Sequence, residues 1–434
     1  MRVAILTWGS RGDYQPYLAL ASALQRAGHE VRMGAPIGPN FQELANRYGV
    51  DVLEVGPPVE SEVVNEAIEG IDFAALNPVS LVRMALDHLL AEETWEAMYN
   101  ACLELAEWSD VVVSHFLQVA GRMAADAADR PWVSGTLVPT QLPTATRSPG
   151  GSSSRVRFLN KRAWSKALGH MNGAWLPPVN EARARIGLAP MDDVAARGFY
   201  SPSLNLVAAS PTVFPRPGDW SAEHRLTGYW LAEAAADWSP SPELMKFVSE
   251  GERPIAIGFG SMPTSNRAAL NRTLLDAIER AGVKAVVEPG MAELSAGNDA
   301  ASIMHAAVPH AWLLPRVSVL VHHGGAGTAG AAFHAGVPQV IVPHLYDQAI
   351  WADRAHQLGV SPPPIAIARL TAHRLSDAIS RAATDSQIRE SSRQLAEVMS
   401  GESGATEAAL LIEEYASEAR NGALETNVGP QGTS

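Results

Sequence analysis

The sequence predicts an α/β protein built from two doubly wound domains that face each other across a cleft. Three observations carry this. Strand-like and helix-like patterns alternate from the first residues, the alternation restarts after a proline-rich middle stretch, and each series places a glycine-rich turn directly after an apolar strand. Such alternation signals parallel sheets with helices on their faces, and ligands of such sheets sit at the carboxyl ends of the strands. A chain of 434 residues, 47% hydrophobic and 18% charged, is long enough for two separate cores.

The first series opens with a strand from Val3 to Trp8. A helix from Pro16 to Ala27 follows, with Leu20 and Leu24 one turn apart and Gly28 as its stop, and the next strand starts at Val31. Further strands are expected at Val52 to Val55, Asp110 to Ser114, Trp132 to Gly135 and Leu204 to Ala208, with a long helix from about Leu81 to Trp108. The second series runs through Ile255 to Ser261, Lys284 to Glu288, Ser302 to His305, Ser318 to His322 and Gln339 to Pro343. Between them lie Pro211, Pro215, Pro217, Pro240 and Pro242. The expected division is a first domain over 1–215, a linker over 216–245, a second domain over 246–419 and a disordered polar tail over 420–434. Irregular stretches from Gly56 to Pro78 and from Pro139 to Arg155 leave the carboxyl ends of first-domain strands, where they would wall an acceptor pocket.

The formal charge of −13, with no evident cluster of Lys and Arg, argues against a broad nucleic-acid surface. Cys102, the single cysteine, forms no intramolecular disulfide and reads as a buried core thiol in a reducing compartment. No apolar segment is long enough for a signal peptide or a membrane span, so a cytoplasmic location is expected.

The chemistry concentrates in two turns. In His322-His323-Gly324-Gly325-Ala326-Gly327-Thr328, a strand delivers two imidazoles and three glycines to a helix start. Bare N–H groups and the positive end of the helix dipole can hold phosphate there, without the lysine of a P-loop. One strand later, Asp347-Gln348 supplies a carboxylate and an amide suited to adjacent sugar hydroxyls. At the other turn, Gly9-Ser10-Arg11-Gly12-Asp13 lacks dinucleotide-fingerprint spacing. Asp13 stands at an N-cap position, where it can cap the helix, act as general base toward an acceptor hydroxyl, or do both. His115, after the strand from Asp110, is a second candidate that could orient or replace Asp13. The turn from Gly258 to Ser261 adds a hydroxyl beside the diphosphate. No metal is expected: no Asp-x-Asp ends a strand, and the six histidines from His305 to His344 match no usual ligand spacing.

These turns, with Ser210 to Trp220, Thr227 to Trp230, Gly258 to Met262 and Gly336 to Gln339, resemble the family 1 glycosyltransferases, in the same order along most of the chain. The bacterial natural-product enzymes and the sterol glucosyltransferases are the most similar. The resemblance implies a GT-B fold of two Rossmann-like domains and an inverting, metal-independent transfer with no cofactor beyond the nucleotide-sugar co-substrate. It implies Asp13 as base, His323 and Thr328 at the diphosphate, Asp347 and Gln348 at the donor sugar, and Ser261 in the cleft. Ser10, Arg11, Gly12, Val308, Gly324, Gly325 and Gly327 complete the implied donor site. Two positions depart from the plant pattern: Ala307 replaces the tryptophan that stacks on uracil, and Ala331 replaces the ribose-binding glutamate. UDP- and dTDP-hexoses therefore both stay open as donors. The acceptor would be the hydroxyl of a lipophilic sterol, polyketide or macrolide, with transient membrane contact to reach it. A deoxysugar or rhamnosyl transferase acting on a membrane glycolipid, a sugar-nucleotide epimerase, and a non-catalytic nucleotide-binding protein are the alternatives.

Overall fold

The computed structural model describes residues 1–9, 11–36, 39–56, 92–149, 156–231, 238–260, 267–288, 302–344 and 346–427. Its first sheet has seven parallel strands: β1 (Arg2–Leu6), β2 (Glu30–Ala35), β3 (Asp51–Glu54), β4 (Val111–His115), β5 (Trp132–Thr136), β6 (Asn205–Val207) and β7 (His224–Leu226). They lie in the order β3-β2-β1-β4-β5-β6-β7. The near-continuous apolar runs of β1 and β4 follow from burial on both faces. Ala4, Leu6 and Val112 pack on α3 (Glu92–Trp108) and α4 (Val119–Ala127), while Val3, Ile5, Val111 and Val113 pack on α1 (Arg11–Arg26). A fully buried Leu or Ile contributes about 1.5–3 kcal/mol, and α1 buries Leu18, Leu20 and Leu24 completely. Cys102 of α3 is also fully buried and unpaired, as its apolar surroundings suggest.

After α2 (Pro39–Arg47), α5 (Arg157–Arg185) and α6 (Val194–Arg197), the chain enters the second domain through α7 (Pro242–Ser249). Its five parallel strands are β8 (Ile255–Gly258), β9 (Ala285–Val287), β10 (Ile303–His305), β11 (Leu320–His322) and β12 (Gln339–Ile341), in the order β10-β9-β8-β11-β12. One face packs on α8 (Arg267–Ala281) and α12 (Ala372–Thr384), the other on α7 and α9 (His310–Leu313). Among the described residues the other α-helices are α10 (Ala326–Ala335), α11 (Tyr346–Gln357), α13 (Ser386–Met399) and α14 (Gly404–Asn427).

Three boundaries differ from the sequence reading. β7 pairs with β6 through Asn205↔His224 to Val207↔Leu226, so the first domain reaches beyond 215 into the expected linker. This edge strand has only three residues and no apolar run to announce it. Residues from 404 leave the second domain: Ala408, Ala409, Leu411, Ile412 and Ala416 of α14 share a core with Leu20 and Leu24 of α1. The helix also continues to Asn427, past the expected break at 420. Most of the Gly56 to Pro78 stretch, the start of the helix expected from Leu81, residues 150–155 of the second irregular stretch and the tail from 428 lie outside the described residues. Among the described residues, no helix is long and apolar enough to cross a membrane.

One basic surface went unread in the sequence. Arg157, Lys161, Arg162 and Lys166 are exposed on the first turns of α5, together with Phe158 at 66% and Leu159 at 51% exposure. Spread over ten residues, these charges interrupt apolar positions. Helical spacing of three and four gathers them on one face, opposite the buried Asn160 and Trp164.

Candidate functional site

Each sheet has one point where strand order reverses, between β1 and β4 in the first and between β8 and β11 in the second. Loops diverge there, leaving a crevice at the strands' carboxyl ends. Both glycine-rich turns emerge at these points. They approach each other where Pro16 of α1 and Ala326 and Gly327 of α10 line one small cavity with Tyr229 and Trp230.

On the second domain, His322 shapes the anion turn. Its Nδ1 accepts from the Gly324 N–H at 3.1 Å and its Nε2 lies 2.9 Å from Gln339 Oε1, so the proton resides on Nε2 and is donated to the amide oxygen. Burial, aided by His323, pushes its pKa down to about 3 and keeps the ring neutral. Gly324 sits at φ +96°, and a Cβ there would stand 2.9 Å from the Gln348 carbonyl, so both conformation and space demand glycine. Gly325 then caps α10 with no side-chain acceptor, leaving the first-turn N–H groups of Ala326, Gly327 and Thr328 directed at the cleft. His323 borders them, its Nε2 2.5 Å from where a Gly325 Cβ would stand. Burial and then the neighbouring His344 lower its pKa to about 4, while a Gly258 backbone group opposes this.

The β12–α11 loop closes the other side. Gln348 is 3% exposed and its Oε1 accepts the His344 N–H at 2.8 Å, so this side chain braces the loop. Asp347, in the first turn of α11, is half-buried. Burial raises its pKa, and the negative charge of Asp13 adds to that rise. The two carboxylates, from opposite domains, therefore share the cleft.

Asp13 occupies the third position of α1, which starts at Arg11, and so is not the N-cap that the sequence suggested. Three residues of spacing could not separate a cap from the first turn. Gly9, at φ +125°, lets the chain pass against it: a Cβ there would lie 2.5 Å from Asp13 Oδ2. Burial lowers the pKa of His310 of the second domain, the nearby Glu288 carboxylate opposes this, and exposed Arg11 lies near enough to add to the lowering. Gly12 is exposed beside it.

His115 ends β4 at the first reversal point, yet it is 3% exposed and packs 5.9 Å, ring to ring, from Tyr17. Its Nδ1 accepts the Leu117 N–H at 3.4 Å, and burial pushes its pKa down to about 3. A ring so buried and so weakly basic is poorly suited to taking a proton from a substrate hydroxyl.

Beyond the phosphate turn, a small cavity of about 40 Å³ opens between the ends of β8 and β9, lined by Val308, His310, Glu288 and Thr328 among others. Val308 and Thr328 line it together, with Glu288 and His310, which the sequence reading did not single out. The only signal for Glu288 was an acidic residue ending an apolar strand. Ser10 and Ser261 lie outside the described residues. Among the described residues, no group of three or more His, Cys, Asp or Glu side chains is placed to hold a metal ion.

Comparison with known proteins bears on the family and the fold. Residues 3–71 match the glycosyltransferase family 28 N-terminal domain, and residues 283–415 match the C-terminal domain of the erythromycin biosynthesis protein CIII-like family. The O-mycaminosyltylonolide 6-deoxyallosyltransferase of Streptomyces fradiae is 31% identical over 422 residues, covering 96% of this chain and 98% of that protein. Sterol 3-beta-glucosyltransferases of Arabidopsis thaliana and Saccharomyces cerevisiae are 27% and 29% identical, each over 93% of this chain. This chain spans only 64% and 34% of their respective lengths. Among solved structures, glycosyltransferase VinC in complex with dTDP superposes with a TM-score of 0.68 at 21% identity, covering 96% of this chain and 100% of that one. The glycosyltransferase of kitacinnamycin gives 0.69 at 21% identity, over 95% and 98% of the two chains. At these identities the structural likeness speaks for the GT-B fold.

Proposed function

Because the chain belongs to the glycosyltransferases and is a hexosyltransferase of the GT-B fold, we propose that it moves a hexose from a UDP- or dTDP-sugar to a hydroxyl of a lipophilic acceptor, with inversion and without a metal. The observation that carries this reading is the shared cleft of Asp13 and Asp347, with the open N-terminus of α10 beside them. Asp13 takes the acceptor proton as the hydroxyl oxygen forms its bond to the anomeric carbon. The bond from that carbon to the diphosphate oxygen breaks on the opposite face, and the leaving diphosphate is received by the α10 N–H groups and His323. Asp347 and the Gln348 amide hold sugar hydroxyls. One displacement inverts the anomeric centre, and no cofactor beyond the nucleotide sugar enters it.

The likeness to a macrolide-type deoxyallosyltransferase and to sterol glucosyltransferases supports a sterol, polyketide or macrolide acceptor. Such acceptors partition into membranes, and the apolar and basic face of α5 supports a transient membrane contact. The lone buried thiol of Cys102 supports a cytoplasmic location.

The test is nucleotide release from UDP-glucose and dTDP-sugars with and without sterol or macrolide acceptors, followed by NMR of the product's anomeric centre. Acceptor-dependent release with inverted configuration is expected. Release without acceptor, or a retained configuration, would overturn the mechanism.

A further inference from the structure

The stretch from Ser210 to Trp220, which joins β6 to β7, has no part in the displacement, yet it touches both domains. Its last two residues hold the loop that follows β5. Asp219 Oδ1 accepts the Thr144 hydroxyl at 2.8 Å, and its Oδ2 accepts the Ala145 N–H at 2.6 Å. The buried Trp220 donates its indole N–H to the Pro143 carbonyl at 3.1 Å. From the other side α5 takes the same loop: Asn160 donates to the Ala145 carbonyl at 2.9 Å and Trp164 to that of Arg147 at 2.7 Å. This loop starts in the cleft. Leu137, the residue after β5, lines the small cavity that Ala326 and Gly327 of α10 also line.

The middle of the stretch is seated on the second domain. Phe214 packs edge-on against Trp351 of α11, with ring centroids 4.8 Å apart, and Arg354 of the same helix donates to the Val213 carbonyl. The Arg147 guanidinium lies 5.2 Å over the Phe214 ring, so loop and stretch also meet here. The first turn of α11 carries Asp347. Asp219 itself is exposed, where water can satisfy a carboxylate, so its two bonds fix the place of the loop rather than relieve a buried charge. Partial burial raises its pKa, but the bonds from Ala145 and Thr144 outweigh this and hold the carboxyl below its usual range. It is therefore an anion at neutral pH and accepts from both donors at once.

We propose that Asp219 is a positioning residue for the acceptor: with Trp220 it holds the 143–147 loop as a fixed wall of the first-domain pocket, while Phe214 registers that wall on α11. The inference rests on the glycosyltransferase reading above. A wall tied to both domains keeps an acceptor hydroxyl in line with the anomeric carbon, where a small displacement costs most rate.

Steady-state kinetics of the full chain test it on Asp219→Ala and Asp219→Asn, with UDP-glucose or dTDP-glucose as donor and cholesterol or O-mycaminosyltylonolide as acceptor. Hydrogen exchange of the 143–147 amides shows in parallel whether the loop is released. Asp219→Ala should speed that exchange and raise the acceptor KM about tenfold, with melting temperature and calorimetric donor affinity as in the wild type. Asp219→Asn keeps one accepting oxygen and should give an acceptor KM between the two. Faster exchange with a wild-type acceptor KM would overturn the inference while leaving the transferase reading intact. Unchanged exchange would also overturn it, since the loop then holds without Asp219. A lower melting temperature with equal losses for donor and acceptor would reduce Asp219 to a brace of the fold. A wild type that transfers to neither acceptor would overturn the sterol and macrolide reading, and the inference with it.

Discussion

The Nδ1 atom of His322 holds the Gly324 N–H at 3.1 Å, and through this contact a fully buried strand residue sets the turn that aims α10 at the cleft. The same ring donates to Gln339, which also has no exposed surface. His322→Ala leaves two buried polar groups unpartnered and should lower stability by about 2–4 kcal/mol. It should also weaken UDP binding, although His322 touches no donor in the proposed site. Chemical denaturation and calorimetry measure both effects, and wild-type values in both would show that the turn holds itself.

Asp13→Asn separates chemistry from structure. Asp13 lies within the first turn of α1 and not at its cap, so the amide should leave the melting temperature and donor affinity near wild type. Turnover should fall by about 10²–10⁴ as the proton acceptor is lost. Wild-type turnover in a folded variant would remove Asp13 from catalysis.

Asp347 and Gln348 should respond differently despite their adjacency. Asp347→Asn is expected to weaken binding of the nucleotide sugar while leaving free UDP affinity unchanged. Gln348→Ala unties the His344 N–H in a buried loop, so it should also lower the melting temperature. Identical behaviour of the two variants in both measurements would contradict the brace.

Stability should fall as pH drops below about 6.5. Burial holds His115 and His322 down to about 3, whereas an unfolded histidine titrates near 6.5. Between those values the unfolded chain binds protons that the native chain refuses. Unfolding free energy therefore decreases with falling pH, by up to about 1.4 kcal/mol per unit for each ring. Urea midpoints at pH 7, 6 and 5 check this, and a flat profile would mean the rings protonate in place.

The exposed face of α5 should bind anionic vesicles in low salt. Phosphatidylglycerol-containing vesicles are expected to co-sediment the wild type. Phe158→Ser with Leu159→Ser, or Lys161→Glu with Lys166→Glu, should abolish this without changing turnover on a dissolved acceptor. Equal binding to neutral and anionic vesicles, or none to either, would rule out the membrane contact.

Patterns carried by neighbouring residues were legible without coordinates. The buried runs of β1 and β4, the strand–glycine–helix order around His323 and the Asp347-Gln348 pair are short-range features, set by strand periodicity and helix-start geometry. The sequence by itself therefore determined the two doubly wound domains and the glycine-rich turn that opens α10. The tertiary structure alone decided that β7 completes the first sheet and that α14 returns to pack on α1. It also decided that His115 is buried, that His322 is a neutral brace, and that Asp13 lies near enough to Asp347 for its charge to be felt there. The reason is distance along the chain: desolvation and charge coupling depend on groups brought together from tens to hundreds of residues apart, and no local pattern records which of them will meet.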